Sequence, residues 1–212
     1  VVSLLKLRAS WGKTGNAEIG NFASRDLWGA TSYKQLPGYI SSQPENQDLT
    51  WEKSTQTDLG VDFGLFSNRI SGELDYYDKK TEGLLFYQNI PYTSGYSNIY
   101  RNVGNLSNKG FEFVLNTQNI KTQGFSWDSS FNLANNINKI TALPDNNADV
   151  VVGNVIRRVG ERLDSFYLVE YAGVDPANGD ALFYKNTVNA DGSIDRSTTN
   201  DYSEAQRVIA GS

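Results

Sequence analysis

Residues 57–77 alternate between apolar and polar side chains, and this alternation limits the possible folds more than any other feature of the chain. Positions 57, 59, 61, 63 and 65 carry Thr, Leu, Val, Phe and Leu, while the positions between them carry only Asp and Gly. The alternation resumes at Ile70 after a polar break at residues 67–69. A period of two residues indicates β-strands, and a short polar break between two such runs indicates a hairpin.

The two faces of this predicted hairpin differ strongly in polarity. One face is aliphatic and aromatic, whereas the other carries four carboxylates and no large aliphatic side chain. Soluble β-sandwiches also alternate, but they rarely keep this contrast through about nine residues on both arms of a hairpin. We therefore interpret the hairpin as part of a wall between lipid and a wet, charged lumen.

The composition argues against several classes of function. The 212-residue chain contains no Cys and no His. It therefore lacks disulfides, thiol nucleophiles and thiolate metal sites, together with the commonest general base and the commonest metal ligand. The formal net charge of −5 is mixed in sign along the chain, without a basic patch that would indicate nucleic-acid binding. We predict no catalytic residue, no cofactor and no bound metal.

The sequence has no run of about 18 apolar residues, so it predicts no transmembrane helix. Barrel strands would escape such a search, because they are short and half polar. The chain contains no Met and opens directly in a strand-like segment. We expect it to be an excerpt of a longer polypeptide.

Further segments show the same two-residue period. In the first strand Leu5, Leu7, Ala9 and Trp11 alternate with Lys6, Arg8, Ser10 and Gly12. The third strand is predicted from Ile70 to about Leu85 and the fourth near residues 102–118. The fifth is predicted to begin at Phe125, and the barrel-like pattern stops after Asn138. Residues 12–16 (GKTGN) interrupt the first strand and are interpreted as a turn, since they lack the spacing of a phosphate-binding loop and no amphipathic helix follows.

The predicted connections fall into two length classes. Residues 67–69 and 119–124 are short turns, whereas residues 16–48 and 86–101 are long. The two classes alternate along the chain, which brings all the short turns to one end of an antiparallel sheet. Outer-membrane barrels have short periplasmic turns and long external loops.

The predicted fold class is therefore all-β, an antiparallel transmembrane β-barrel segment of about five strands. Residues 1–139 would hold the barrel strands, the short periplasmic turns and two long extracellular loops. Residues 140–212 would form a further long extracellular loop region with short strands. No separate globular domain is expected.

Trp11 and Trp51 are interpreted as one level of an interfacial aromatic girdle, because both stand at the same end of adjacent predicted strands. The alternative is a pair of Trp residues in an ordinary sandwich core.

Two groups of residues are candidates for function. The charged face would line the lumen with eight residues: Lys6, Arg8, Asp58, Asp62, Glu73, Asp75, Glu112 and Asp128. For any single one of them, solvation of a wet wall is favoured over substrate binding. Aromatic side chains on the long loops are the substrate or partner candidates: Trp28, Tyr33, Tyr39, Tyr92, Tyr96 and Tyr100. These aromatics could stack on sugar rings or peptides, or could instead pack the loops against one another or against a partner.

Residues 189–195 (NADGSID) resemble part of a calcium loop. They lack the full D-x-[DN]-x-[DN]-G-x₅-E pattern, so a solvated Asx turn is favoured over calcium binding by Asp191 and Asp195.

Several motifs in a common order resemble the SusC/RagA-like TonB-dependent outer-membrane transporters. They cover essentially the whole chain: residues 7–16 (LRASWGKTGN), 48–62 (DLTWEKSTQTDLGVD), 69–80 (RISGELDYYDKK), 102–104 (NVG) with 108–112 (NKGFE), and 171–179 (YAGVDPANG). One departure is the segment Asn-Ala-Asp-Gly-Ser at residues 189–193, where the family often has a turn like D-x-N-G-D-G.

The resemblance implies a barrel of about 22 strands closed by a plug, of which this chain would hold five strands and three external loops. It implies location in the Gram-negative outer membrane and import of an oligomeric nutrient, either an oligosaccharide or a peptide. The implied partners are a SusD-like surface lipoprotein, the TonB complex (through a segment outside this chain) and outer-membrane lipid.

Two other functions compete with transport. A soluble β-rich carbohydrate-binding or adhesin module would explain the Tyr-rich loops, but not the contrast between the faces or the sorted loop lengths. A glycosidase with paired carboxylates ranks last, because the carboxylates recur at strand period and do not converge on a pocket.

Overall fold

The computed structural model describes residues 1–211, with Asn89 described by its backbone alone. The chain divides into two compact units, one ending at Pro144 and the other beginning at Asp145. Strands of the first unit are β1 (Val2–Asn16), β2 (Leu27–Tyr33), β3 (Leu36–Gln43), β4 (Glu52–Leu65), β5 (Ile70–Glu82), β6 (Leu85–Asn89), β7 (Asn98–Asn102), β8 (Asn105–Lys121) and β9 (Ser126–Ala142).

The first unit is built on one antiparallel sheet with the strand order β1-β4-β5-β8-β9. The remaining strands pair locally, β2 with β3 and β6 with β7. Strands β4 and β5 pair through thirteen successive positions, from Lys53 opposite Glu82 to Leu65 opposite Ile70, without a bulge. The predicted antiparallel all-β sheet is confirmed.

Connection lengths are sorted between the two ends of this sheet, as the sequence predicts. Residues 66–69 join β4 to β5, and residues 122–125 join β8 to β9. The long connections, residues 17–51 and 83–104, lie at the opposite end. In the first short turn Phe66, Ser67 and Asn68 all have left-handed backbone conformations, so the turn is one residue longer than predicted.

The segment at residues 12–16 is not a turn, contrary to the prediction. It continues β1 and pairs with β4, from Gly12 opposite Gln56 to Asn16 opposite Glu52. The partner strand offers an unbroken ladder over these residues, and backbone pairing overrides the weak strand propensity of Gly and Asn. The glycine also has a packing role, because an ideal Cβ on Gly15 would lie 3.2 Å from the ring of Trp51.

Extension of β1 also makes the predicted level of Trp11 and Trp51 wrong. Trp11 lies opposite Thr57 of β4, and Trp51 precedes Thr57 by six residues, just before β4 begins. At about 3.3 Å per residue, six residues correspond to roughly 20 Å along the strand. The two indoles therefore stand at different heights.

Little of the first unit is buried. Its cluster of buried residues consists of Leu106, Ile140 and Leu143, with Leu84 packed against it, near the end of the sheet that carries the long connections. Ile140 belongs to β9, which ends at Ala142, a few residues beyond Asn138, where the sequence pattern predicts the end of the barrel strands. Most large apolar side chains of the sheet remain exposed, including Leu5, Leu7 and Phe131.

Within the described residues 145–211, the second unit contains nine short strands, which pair in three small antiparallel sheets. The strands are β10 (Val150–Val152), β11 (Val155–Arg157), β12 (Ser165–Val169), β13 (Tyr171–Val174), β14 (Ala181–Tyr184), β15 (Thr187–Val188), β16 (Ile194–Asp195), β17 (Thr198–Thr199) and β18 (Arg207–Gly211). Strands β10, β11, β12 and β18 form a four-stranded sheet around the buried Ile156 and Ser165. Strands β13, β14 and β17 form another, in which the ring of Phe183 contacts those of Tyr171 and Tyr202.

Among residues 1–211, helical structure is limited to single turns. Tyr92–Ser94 and Tyr202–Glu204 are 3₁₀ turns, and Pro144–Asn147 is one turn whose residues 145–147 are left-handed. Within residues 1–211, no helix has the length and apolar character needed to cross a membrane.

Candidate functional site

Pairing across the main sheet assigns every residue to one of two faces, because directly opposed residues project to the same side. One face, here called the apolar face, is crossed by successive rows of residues. The central rows are Leu5–Phe63–Gly72–Leu115–Phe131, Leu7–Val61–Leu74–Phe113–Leu133 and Ala9–Leu59–Tyr76–Phe111–Asn135. Asn135 is the one polar residue in these rows.

Large side chains of the apolar face are uncovered by the rest of the described chain. Leu7 is 76% exposed, Leu59 52% and Phe131 55%. Gly72 allows the ring of Phe63 to lie over the strand, since an ideal Cβ on Gly72 would lie 2.7 Å from that ring. An apolar surface of this extent is typical of a face that contacts another apolar phase.

The charged face contains all eight residues predicted from the sequence. Lys6 lies opposite Asp62 and Asp62 opposite Glu73, while Asp75 lies opposite Glu112. The other three members are Arg8, opposite Gly60 in the row of Asp75, Asp58, opposite Ser10, and Asp128, opposite Gln118 near the short turns.

Arg8 is the centre of an ion-pair network on the charged face. Its guanidinium donates through Nε to Asp62 at 2.8 Å and through Nη2 to Asp75 at 3.0 Å. Lys6 Nζ lies 3.4 Å from the same Asp62 carboxylate, and Glu73 is 3.9 Å from Arg8. The network links β1, β4 and β5, so it stabilises the relative register of three strands.

Glycine makes room for this network. An ideal Cβ on Gly60 would collide with Asp75 Oδ1 and would lie 3.0 Å from Arg8 Cζ. Gly60 itself lies opposite Arg8 and Asp75 on the two neighbouring strands. The missing side chain therefore lets the guanidinium cross β4 to reach β5.

The remaining charged-face carboxylates have polar surroundings. Asp58 accepts hydrogen bonds from Ser10 at 2.8 Å and Gln56 at 2.7 Å. Asp128 lines an open cavity of about 490 Å³ with Ser71, Asn116 and Ser130, close to the short turns. The contacts of Asp58 and Asp128 do not bring two carboxylates together in an enclosed site. Their arrangement resembles a solvated wall.

The structure divides the six predicted loop aromatics into two sets. Trp28, Tyr33, Tyr39 and Tyr92 are between 63% and 85% exposed. Tyr96 and Tyr100 instead contact other parts of the loops. Tyr96 Oη lies 2.7 Å from Ser41 Oγ, and the Tyr100 ring packs 4.6 Å from that of Tyr87.

Trp28 and Tyr39 share one face of the β2–β3 hairpin, because Trp28 lies opposite Ser41 and Ala30 lies opposite Tyr39. Trp28 is oriented by its indole N–H, which donates to Asp26 at 3.0 Å. Ser41 donates to the same carboxylate at 2.9 Å. We call this surface, formed by Trp28, Tyr39 and Ser41, the aromatic platform.

The opposite face of the β2–β3 hairpin is apolar. Tyr33 lies opposite Leu36 at the hairpin tip, and Ile40 is opposite Gly29. Tyr33, Leu36 and Ile40 are 75%, 69% and 58% exposed. Of these three residues the sequence analysis identified only Tyr33, because Leu36 and Ile40 stand in a loop without the periodicity of the main strands.

Amide side chains tie the two long connections together. The Asn102 amide accepts a hydrogen bond from Thr50 N at 2.7 Å and donates to Thr50 O at 2.6 Å and Gly83 O at 3.0 Å. Asn46 donates to Tyr100 O at 2.7 Å. Sequence reasoning missed these residues, since nothing in the pattern of residues 17–51 indicates their partners in the second connection.

In the second unit, charged residues pair locally. Glu170 accepts from Arg196 at 2.9 Å, and this hydrogen bond lowers the pKa of Glu170 below its ordinary value. Lys185 lies 2.9 Å from Glu204 and likewise lowers the pKa of Glu204.

Residues 189–193 form the predicted Asx turn. The Asp191 carboxylate accepts from Ser193 Oγ at 2.6 Å and from Ser193 N at 2.9 Å, and these hydrogen bonds lower the pKa of Asp191. Asp195 similarly accepts from Ser197. Within residues 1–211, no group of three or more acidic side chains is arranged to hold a metal ion.

The chain is similar to known proteins both in sequence and in fold. The family model described as TonB dependent receptor-like, beta-barrel matches residues 3–206. TonB-dependent receptor P3 of Formosa agariphila is 39% identical over 186 residues, covering 82% of this chain and 19% of the relative. TonB-dependent receptor SusC of Bacteroides thetaiotaomicron is 38% identical over 201 residues, covering 84% of this chain and 20% of SusC.

Solved structures agree with the sequence relatives. The RagAB peptide transporter matches with a TM-score of 0.84 and 34% identity, over 99% of this chain and 24% of that chain. The RagAB peptide importer in its open-open state matches with the same TM-score at 33% identity. The chain spans about a fifth of the length of the curated relatives it matches.

Proposed function

Because this chain belongs to the TonB-dependent receptor β-barrel family, we propose that it forms part of an outer-membrane transporter that imports oligomeric glycans or peptides. The observation that carries the proposal is the two-faced sheet with its connections sorted by length. The relatives are receptors and transporters, which argues against a soluble carbohydrate-binding or adhesin module.

In this proposal the apolar face contacts the membrane lipid. A spanning strand needs about 9–11 tilted residues, and the five strands of the main sheet have between 13 and 17. The strands therefore cross the hydrocarbon and continue beyond it. The short turns at residues 66–69 and 122–125 are assigned to the periplasm, and the long connections to the outside.

The charged face would then line the lumen. Isolated charges facing lipid are costly near the bilayer midplane, whereas water or a plug domain in a lumen can solvate them. Arg8, Asp62 and Asp75 are already paired with one another, so they favour a structural role over chemistry. We accordingly propose that the protein is not an enzyme, and that Glu112 and Asp128 belong to the wet wall.

Substrate would be bound above the lumen, at the aromatic platform. Trp28 and Tyr39 present exposed rings on one face of a hairpin, the arrangement that stacks against sugar rings or peptide groups. Tyr92, at the tip of the β6–β7 hairpin, is a further exposed ring. Tyr96 and Tyr100 would support the loops that carry the platform.

The opposite, apolar face of the β2–β3 hairpin fits a protein partner. Exposed Tyr33, Leu36 and Ile40 have the composition of an interface core. We propose a SusD-like surface lipoprotein as that partner. The TonB complex would supply energy through a segment of the whole protein outside this chain.

Quenching of tryptophan fluorescence by lipid tests the membrane assignment. In the full-length protein reconstituted in liposomes, one variant keeps Trp11 alone and a matched variant keeps Trp28 alone, all other tryptophans being changed to Phe. Lipids brominated on their acyl chains are expected to quench Trp11, on the apolar face, and to leave Trp28 unaffected. Equal quenching of both, or of neither, would contradict the proposal.

A further inference from the structure

Three lysines lie in one row across the apolar face, two rows beyond the row that runs from Ala9 to Asn135. Lys13 is opposite Thr55, Thr55 opposite Lys80, Lys80 opposite Ser107, and Ser107 opposite Lys139. The lysines thus occur on every second strand. Because neighbouring strands are spaced about 4.8 Å apart, adjacent lysines are separated by roughly 10 Å. We call Lys13, Lys80 and Lys139 the lysine row.

The charges of the lysine row are not compensated within the part of the chain that the structure describes. All three side chains are exposed, and across residues 1–211 none of the three ammonium groups forms an ion pair. Lys109, one row closer to the apolar rows, differs because its Nζ lies 2.9 Å from the carboxylate of Asp78 directly opposite. The row therefore keeps its positive charge free for an external partner.

A polar groove adjoins the row between β5 and β8. Its volume is about 390 Å³, and Lys80 and Lys109 are among its lining residues. Ser107 and Thr141 supply hydroxyls and Asn105 an amide; the other lining residues are Thr81, Glu82 and Leu106. Because Lys109 is already paired with Asp78, the ammonium group of Lys80 is the free charge of the groove. With the neighbouring hydroxyl and amide donors, it suits an anion that carries several oxygens.

The depth of the row indicates which anion it meets. Trp11 stands one row closer to the apolar rows, on the same strand as Lys13, and Lys13 Nζ lies 5.9 Å from the centre of its ring. An indole followed by lysines is the order expected where hydrocarbon gives way to headgroups. The row lies toward the long connections, so it faces the leaflet on that side.

We propose that the lysine row binds the phosphate groups of anionic lipids in this leaflet, with one headgroup seated in the groove beside Lys80. The proposal rests on the membrane-spanning role given above. Continuity with the exposed apolar face favours a lipid over an acidic protein, since the acyl chains of a lipid bound at the row would cover Leu59 and Tyr76 below it.

The single-Trp11 protein provides a local probe, because its tryptophan adjoins the lysine row. Quenching is compared between two acyl-brominated lipids at equal mole fraction, phosphatidic acid and phosphatidylcholine. The row variant Lys13→Gln/Lys80→Gln/Lys139→Gln is set against a control with the same loss of charge, Lys34→Gln/Lys79→Gln/Lys121→Gln. Lys34 lies at the β2–β3 tip, Lys79 on the charged face and Lys121 beside a short turn.

Preferential quenching by phosphatidic acid is expected in the parent and in the control variant. The preference should fall by about fivefold for each lysine removed from the row, and further at high salt. Each ratio is taken within one variant, so changes in the emission of Trp11 itself cancel.

The outcomes separate the two proposals. If both lipids quench the parent equally, the lipid-binding inference is overturned while the membrane assignment stands. If neither lipid quenches it, both are overturned. An equal loss of preference in the control variant would also overturn the role of the row. An unchanged lipid preference in the row variant would overturn it as well.

Discussion

The guanidinium of Arg8 lies across the backbone of Gly60, where even a methyl group would contact Arg8 Cζ at 3.0 Å and collide with Asp75. Two strands are joined by an ion pair that passes over the strand between them. Glycine in a strand interior usually weakens the strand, and here it is the condition for the network.

Gly60→Ala is therefore expected to destabilise the barrel by roughly 1–3 kcal/mol, the usual cost of overpacking. The measurement is the midpoint of urea unfolding of the full-length protein in liposomes. Gly60→Ala/Arg8→Ala should cost less than the sum of the two single substitutions. Strictly additive effects would show that the two residues do not share the space.

Leu7→Arg should impair folding into the membrane, because position 7 lies in a central row of the apolar face. Arg near the midplane costs about 2–4 kcal/mol in such barrels. The matched control is Asn132→Arg, since Asn132 is an exposed residue on the charged face, in the row of Lys6 and Asp62. Heat-modified mobility on a gel reports the folded fraction, and equal folding of both variants would contradict the assignment of faces.

Trp28→Ala/Tyr39→Ala should reduce substrate affinity about tenfold, since each aromatic contact contributes roughly 0.5–1.5 kcal/mol beyond its buried area. Uptake of a labelled oligosaccharide or peptide substrate measures this effect. The comparison variant is Tyr33→Ala/Ile40→Ala, on the other face of the same hairpin. Tyr33→Ala/Ile40→Ala is expected to weaken co-purification of the surface lipoprotein, whereas Trp28→Ala/Tyr39→Ala should leave it unchanged. If the two variants showed each other's effects, the assignment of the hairpin faces would be reversed.

Asn102→Ala should loosen both long connections together, because it removes the hydrogen bonds to Thr50 and Gly83. Limited proteolysis of intact cells is expected to cut within residues 17–51 and 83–104 faster than in the parent. The barrel itself should remain folded. Unchanged cleavage in both connections would mean that the amide does not couple them.

Acid should loosen the second unit through its ion pairs. The pKa of Glu170 is lowered from 4.5 by Arg196, and that of Glu204 from 4.5 by Lys185. Carboxylates with lowered pKa stabilise the folded state above pH 4.5, and this contribution is lost as pH falls through their folded-state pKa. The protection factors of the amides in β13, β14 and β17, which compare the measured exchange rate with the intrinsic rate at the same pH, should therefore fall below pH 4.5. Glu170→Gln/Glu204→Gln should remove that fall.

The sequence was sufficient to predict the parts of the fold that depend on a two-residue period. Residues 57–77 have one apolar and one acidic side throughout, so their strands and faces followed directly. Gly12 and Gly15 misled the prediction, because their pairing depends on an unbroken partner strand that local propensity does not reveal. The level of Trp51 was wrong for the same reason.

The candidate site could be predicted from the sequence less completely than the fold. Eight charged residues were grouped by parity alone, and they do share a face, but their role in a lumen stays a prediction. The structure leaves Trp28 and Tyr39 exposed, whereas Tyr96 and Tyr100 support the loops. This division depends on contacts between two connections that are far apart in sequence, so the sequence pattern does not reveal it. The lysine row could not be predicted from the sequence either, because Lys13, Lys80 and Lys139 become neighbours only through the pairing of five strands.

Thirteen uninterrupted pairs between β4 and β5 have a consequence for assembly. A slip of one residue would exchange every inward and outward position of the slipped strand, moving Asp58 and Asp62 into hydrocarbon and Val61 into water. Arg8 would at the same time lose its partners. In the proposed membrane-spanning role, a misaligned hairpin would place carboxylates in hydrocarbon, so we expect the acidic face to disfavour the wrong register during insertion.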